Sequence, residues 1–94
     1  MSLSIVELAR AREATGELLD ELGLEAYLFE LDPHGEQWQL KVDCAIGAQG
    51  AWESHTLSTP KESLLRSHDD AAMRRRILTE WRGQLSACKM RQSR

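Results

Sequence analysis

The first 22 residues carry apolar side chains at intervals of three and four, a spacing that predicts an amphipathic helix. Its apolar face is formed by Leu8, Ala11, Thr15, Leu18 and Leu22. Ser4, followed three residues later by Glu7, is typical of a capping box at the start of such a helix. Gly23 can adopt a left-handed conformation, so we expect the helix to end there.

Strict alternation of apolar and polar residues follows and predicts two β-strands. In the stretch "QWQLKVDC" the residues on the apolar side are Trp38, Leu40, Val42 and Cys44. The preceding strand alternates less cleanly, because Leu28 lies opposite Tyr27 and Phe29. Between the strands, "DPHGE" predicts a hairpin turn that Pro33 opens and in which Gly35 supplies the positive φ.

A third, weaker strand is predicted over "WESHTLS", and its buried face is ambiguous. Trp52 shares one face with Ser54 and Thr56, whereas Leu57 shares the other with Glu53 and His55. Either assignment leaves an apolar residue on the wrong side, so the pattern alone does not decide between them.

Two helical segments are predicted at the C-terminal end. "TPKE" at residues 59–62 combines a capping Thr, a Pro at the first helical position and a capping-box Glu. Ser67 and Asp70 are typical of a second capping box and predict that another helix starts after a bend. The longer helix should bury Met73, Ile77, Trp81, Leu85 and Cys88, which recur at spacings of four and three. Residues 89–94 are expected to form a frayed tail.

The order of elements predicts an α+β fold in a single domain covering residues 1–94. The N-terminal helix is followed by a three-stranded antiparallel β-meander. One short and one long C-terminal helix then pack on one face of that sheet. This order resembles that of double-stranded RNA-binding domains, but in that family lysines open the last helix. Here "TPKE" or "SHDD" stands at that point, and acids repel phosphate, so the resemblance is limited to element order.

Charge is distributed unevenly along the chain, although the net charge is only −3. Residues 1–62 contain 12 acidic and four basic residues, whereas residues 63–94 contain three acidic and eight basic ones. Such asymmetry can indicate a surface for nucleic acid or for a protein partner. The two halves can also neutralise each other within the fold or across a dimer.

Two cysteines, Cys44 and Cys88, are fewer than a disulfide scaffold of this size usually carries. We therefore expect free, buried thiols and a cytoplasmic protein. The N-terminal residues do not resemble a signal peptide, and no apolar stretch is long enough to span a membrane.

Catalytic and metal-binding motifs are not apparent in the sequence. The three histidines and two cysteines do not have zinc-finger spacing, and no phosphate-binding glycine loop is present. Neighbouring Ser54 and His55 point to opposite faces of a strand and cannot act as a catalytic pair. We expect neither catalytic residues nor a cofactor or metal. A deep pocket lined by His and carboxylates would instead favour an enzyme.

Three consecutive arginines, Arg74, Arg75 and Arg76, lie within the last helix. At about 100° per residue they fan over roughly 200° and do not form one flat patch. Arg74 and Arg75 should point into solvent, with Arg82 one heptad beyond Arg75. A solvated helix face, a protein-binding surface and phosphate contact all remain open.

The surplus of apolar residues on the first strand predicts an interface, because exposed apolar area rimmed by charge usually marks one. The expected function is a small non-catalytic interaction module, with an adaptor, chaperone-like or regulatory role, that forms a homodimer at micromolar concentration. Its expected partner or dimer surface consists of Ala26, Leu28, Trp52, Arg74, Arg75 and Arg82. The alternative is a nucleic-acid-binding protein that uses Arg74, Arg75, Arg82, Lys89 and Arg91.

Overall fold

The computed structural model describes residues 5–46 and 50–90, and it confirms the predicted α+β layout. The elements in chain order are α1 (Ile5–Leu22), β1 (Tyr27–His34), β2 (Gln37–Ile46), β3 (Ala51–Pro60), α2 (Lys61–Arg66) and α3 (Ala71–Gln84). Ser4, the predicted cap of α1, lies outside the described residues.

The three strands form an antiparallel sheet in the order β1-β2-β3. His34 pairs with Gln37, so the hairpin loop consists of only Gly35 and Glu36. Gly35 has a φ of 62°, which suits the first loop position of a tight hairpin turn. The predicted role of Pro33 is wrong: it pairs with Trp38 as part of β1. An edge strand tolerates this proline because it can leave the missing N–H on its unpaired side.

One face of the sheet, here called the core face, carries the buried strand residues. The fully or nearly buried ones are Leu31, Trp38, Leu40, Val42, Cys44, Leu57 and Thr59. The register aligns Leu31, Leu40 and Leu57 side by side across the three strands. This resolves the ambiguous third strand, since Leu57 points inward and Trp52 outward.

Helix α1 packs on this core through a stripe that contains Ala11, Thr15 and Leu18, all at most 1 % exposed. It ends as predicted, with Gly23 at a φ of 87°. The Tyr27 hydroxyl donates a hydrogen bond of 2.9 Å to the Asp20 carboxylate, which ties the end of α1 to the start of β1.

The capping predictions for α2 and α3 were partly wrong. Pro60, not Thr59, occupies the position before α2. Thr59 is buried instead, and its hydroxyl accepts a hydrogen bond of 3.2 Å from the Trp81 indole of α3. Ser67 closes α2, whereas Asp70 caps α3 by accepting a bond from the Met73 N–H. The predicted bend between the two helices is therefore confirmed.

The segment after α3 is held against the sheet. The Lys89 N–H donates to the Ala45 carbonyl at 2.7 Å, and the Lys89 carbonyl accepts from the Glu25 N–H at 3.0 Å. Met90 forms a β-bridge with Leu24. Lys89 and Met90 thus make backbone contacts with the rest of the fold, while residues 91–94 of the expected tail lie outside the described part of the chain.

Candidate functional site

The second face of the sheet, here called the outer face, is not covered by any element among the described residues. Both C-terminal helices meet the sheet on the core face, where Trp81 contacts Thr59. The outer face is formed by Leu28, Glu30, Asp32, His34, Gln37, Gln39, Lys41, Asp43, Ala45, Trp52, Ser54, Thr56, Ser58 and Pro60. A sheet left bare on one side is expected to carry polar residues there, and most of these are polar.

One end of the outer face departs from that rule, and we call it the apolar end: Ala26, Leu28, Ala45 and Trp52. Leu28 is 66 % exposed and Trp52 is 49 % exposed. Ala45 is the register partner of Trp52, and its N–H donates to the Ala26 carbonyl at 3.2 Å. The four residues therefore extend across all three strands. Ala45 was missed by sequence reasoning because it belongs to the loose "AIGAQGA" stretch.

The arginines do not belong to this surface. Helix α3 lies on the opposite side of the sheet, so the predicted six-residue surface separates into Ala26, Leu28 and Trp52 on the outer face and the three arginines on a helix. Arg75 and Arg82 are exposed, as predicted.

Arg74 does not point freely into solvent. Its Nε and Nη2 donate to the Glu21 carboxylate of α1 at 2.9 and 2.6 Å, and its side chain is 34 % exposed. Arg74 therefore joins the two helices rather than offering a free cation to a ligand.

This contact belongs to a wider pattern of charge neutralisation within the chain. Lys89 Nζ lies 3.1 Å from the Glu25 carboxylate. Together with the Arg74–Glu21 pair, this contact brings the basic C-terminal part against the acidic N-terminal part. Part of the charge asymmetry along the sequence thus serves the fold, and a facing copy is not needed to balance it.

Cys44 and Cys88 form a disulfide, with their Cα atoms 5.6 Å apart. The prediction of free thiols is wrong. Sequence spacing could not reveal the pair, because 44 positions separate the two residues and only the packing of the post-α3 segment against β2 brings them together. Cytoplasmic residence was inferred from free thiols and loses that support, since disulfides persist mainly in oxidising compartments.

His55 stands beside the disulfide on the core face. A nitrogen of His55 and the two sulfur atoms all lie within 4.8 Å of one another. The His55 Nε2 atom is buried and has no hydrogen-bond partner among the described residues. Glu53 Oε1 is 3.0 Å from this nitrogen, within ion-pair distance, although the two atoms do not form a hydrogen bond. Glu53 is also the register partner of Cys44, so a carboxylate side chain stands next to these three residues.

No family model, curated protein or solved structure matches this chain. Function is therefore inferred from its surfaces and side-chain clusters. Among the helices of residues 5–46 and 50–90, none is long and apolar enough to cross a membrane.

A cavity of about 290 Å³ lies between α1 and α2 and contains both a histidine and carboxylates, the combination that would favour an enzyme. It is lined by Arg10, Glu13, Ala14, Leu65, His68 and Asp69. The His68 side chain is 66 % exposed, so water reaches the ring freely. The lining holds no Ser, Thr or Cys nucleophile. This cavity lacks the water exclusion that strengthens electrostatic catalysis, and it gives weak support to an enzymatic role.

Proposed function

We propose that the protein is a small non-catalytic interaction module that forms a homodimer through its outer face. The supporting observation is the apolar end, where Leu28 and Trp52 remain exposed around Ala45 on a sheet that the described helices leave bare. Single exposed apolar residues are common, but a group that spans three strands and borders charged rows is typical of an interface.

The dimensions of the face favour weak self-association. Strands lie about 4.8 Å apart and rise about 3.3 Å per residue, so three strands of up to ten residues present a plane of roughly 450 Å². A standard interface buries about 800 Å² of accessible surface per partner. Two stacked outer faces thus offer a small contact area, which favours weak association, and we expect the dimer to form at micromolar concentration.

A second copy is the occupant we propose, because two-fold symmetry can bring the two apolar ends together. A two-fold axis along β2 would stack β1 of one copy over β3 of the other, with the sheets about 10 Å apart. Leu28 would then approach the second copy's Trp52, and apolar ends would meet. Lys41, which lies opposite Glu30 within its own sheet, would also come within reach of the second copy's Glu30.

Sedimentation velocity over a concentration series tests this proposal. We expect the wild type to dimerise in the micromolar range. Leu28→Ser and Trp52→Ser should each raise the dimer dissociation constant by about tenfold or more, which corresponds to about 1.4 kcal/mol. Ile5→Ser is the matched control, because Ile5 is 84 % exposed on α1, away from the outer face. A wild type that stays monomeric at high concentration, or a dimer that both outer-face variants leave unchanged, would contradict the proposal.

The alternative, nucleic-acid binding through the C-terminal helix, draws support from Arg75, Arg76 and Arg82, which are all exposed. Asp69 and Asp70 at the start of α3 weaken it, because they lower the local potential that phosphate needs. Titration of wild type with duplex RNA and DNA at two salt concentrations tests it. Tight binding that falls steeply with salt, and that Arg75→Ala with Arg82→Ala abolishes, would favour this alternative.

A further inference from the structure

The cluster around His55 carries an inference that is independent of the dimer proposal. Cys44, Glu53 and His55 lie on the core face of two neighbouring strands, and Cys88 reaches them from the segment after α3. The sequence positions 44, 53, 55 and 88 match no zinc-binding spacing. Only the β2–β3 register and the return of the chain to β2 create the cluster.

We propose that reduction of the Cys44–Cys88 disulfide converts this cluster into a zinc-binding site, with Cys44, Cys88 and His55 as ligands and Glu53 as the fourth. Zinc in proteins is bound tetrahedrally by sulfur, nitrogen and carboxylate oxygen at about 2.0–2.3 Å. Ligand atoms around such an ion stand roughly 3.3–3.8 Å apart. The sulfur and nitrogen atoms already lie within 4.8 Å of one another, so small side-chain rotations suffice.

The buried Nε2 atom of the partly exposed His55 ring is the observation that points to a ligand. A buried polar atom without a hydrogen bond destabilises a fold, and such an atom in a folded protein calls for an explanation. His55 Nε2 is such an atom, and a nitrogen of the same ring lies within 4.8 Å of the two sulfurs. A metal ion bound at Nε2 would satisfy it. The Glu53 carboxylate, 3.0 Å away, would then bind the same ion from the more exposed side.

The chemistry balances in two steps. A cellular dithiol transfers two electrons and two protons to the disulfide, which yields two protein thiols and an oxidised dithiol. Zn²⁺ then displaces one proton from each thiol and binds the two thiolates, so two protons are released per ion bound. In the reverse direction an oxidised dithiol (a disulfide) takes up two electrons and two protons, the Cys44–Cys88 bond forms again, and Zn²⁺ is released because a disulfide sulfur no longer offers a thiolate.

Both states keep the chain cross-linked at the same place. The disulfide and the zinc ion would each hold Cys88 against β2, beside the hydrogen bond from the Lys89 N–H to the Ala45 carbonyl. The inferred site would therefore keep the segment after α3 attached to β2 under both oxidising and reducing conditions. Reduction without metal is the only condition that leaves the segment after α3 without a cross-link.

The test uses the full chain, reduced with a trialkylphosphine under anaerobic conditions and then freed of reductant. Zn²⁺ is titrated in competition with a chromophoric chelator, and Co²⁺ is used as a spectroscopic substitute. We expect one ion per reduced chain, no ion in the disulfide form, and a thiolate-to-cobalt charge-transfer band. His55→Gln should weaken zinc affinity by on the order of 100-fold, and Glu53→Gln by about tenfold. His34→Gln, in the exposed hairpin region, is the matched control and should bind as wild type does.

Two further measurements separate loss of the metal site from loss of the fold. Circular dichroism of the disulfide form shows whether His55→Gln retains the fold. X-ray absorption on the zinc-loaded wild type counts two sulfur ligands and one imidazole without any substitution. Absence of zinc binding by the reduced wild type would overturn the proposal, as would an ion whose affinity His55→Gln leaves unchanged or whose spectrum lacks sulfur or imidazole.

Discussion

The two faces of the sheet are built from the same three strands, but one is buried beneath the helices and the other is exposed. On the core face the central row is Leu31, Leu40 and Leu57, all at most 4 % exposed beneath the helices. The neighbouring row on the outer face is Glu30, Lys41 and Thr56, all exposed. Burial of the core face thus accounts for the monomer fold. Leu28 and Trp52 contribute little to that burial, so their presence on the outer face calls for a second explanation, and association provides one.

Two tryptophans make the sharpest test of this difference. Trp38 is fully buried on the core face, whereas Trp52 is half exposed on the outer face. Trp38→Ala should lower the free energy of unfolding by about 3–5 kcal/mol, because it leaves a cavity in a closely packed core. Trp52→Ala should cost less than about 1 kcal/mol when it is measured below the concentration at which dimers form. Urea unfolding of both variants checks this, and equal losses would show that the two faces do not differ as described.

The disulfide gives the next largest effect on the core face. Closing a loop of 44 residues should stabilise the fold by up to about 4 kcal/mol through the lost entropy of the unfolded chain. Replacing both cysteines by serine should remove about 2–4 kcal/mol in the presence of a chelator, and reduction of the wild type should have a similar effect. Thermal unfolding followed by circular dichroism measures both. A reduced, metal-free protein as stable as the oxidised one would show that the cross-link contributes nothing.

The smallest expected change in stability concerns helix α3, on the core face. Its neighbouring arginines Arg74 and Arg75 form a matched pair for comparison. Arg74→Ala should cost about 0.5 kcal/mol, because it breaks a partly exposed ion pair with Glu21. Arg75→Ala should change stability by less than that, since Arg75 is exposed and has no ion-pair partner among the described residues. A double-mutant cycle with Glu21→Ala isolates the pair. A coupling energy of zero would show that the contact with Glu21 does not stabilise the fold, and that Arg74 behaves as the solvent-exposed residue that the sequence predicted.

Local pattern was sufficient to predict most of the fold. Alternation in β2 identified Trp38, Leu40 and Val42 as core residues, and Gly23 marked the end of α1 correctly. The failures arose where a long-range contact replaced the local role that the pattern suggested. Thr59 was assigned to a helix cap because its side chain can accept a backbone bond, but a distant indole, that of Trp81, uses the same oxygen.

The candidate sites were harder to predict because they depend on contacts between distant parts of the chain. The pairing of Cys44 with Cys88, the approach of His55 and the Arg74–Glu21 contact all join residues at least 11 positions apart. Periodicity reports which face a residue occupies, but not which residue lies opposite. Leu28 and Trp52 were predicted as surface residues because each breaks its own strand's pattern, a signal that is purely local.

Isotope-filtered nuclear magnetic resonance on an equimolar mixture of labelled and unlabelled chains tests the dimer most directly. The method detects only contacts between different copies. We expect intermolecular contacts between the Leu28 methyl groups and the Trp52 indole ring, and loss of these contacts in Leu28→Ser. Intermolecular contacts that arise from α3 instead, or the absence of any at concentrations where the protein sediments as a dimer, would contradict the assignment of the outer face as the association surface.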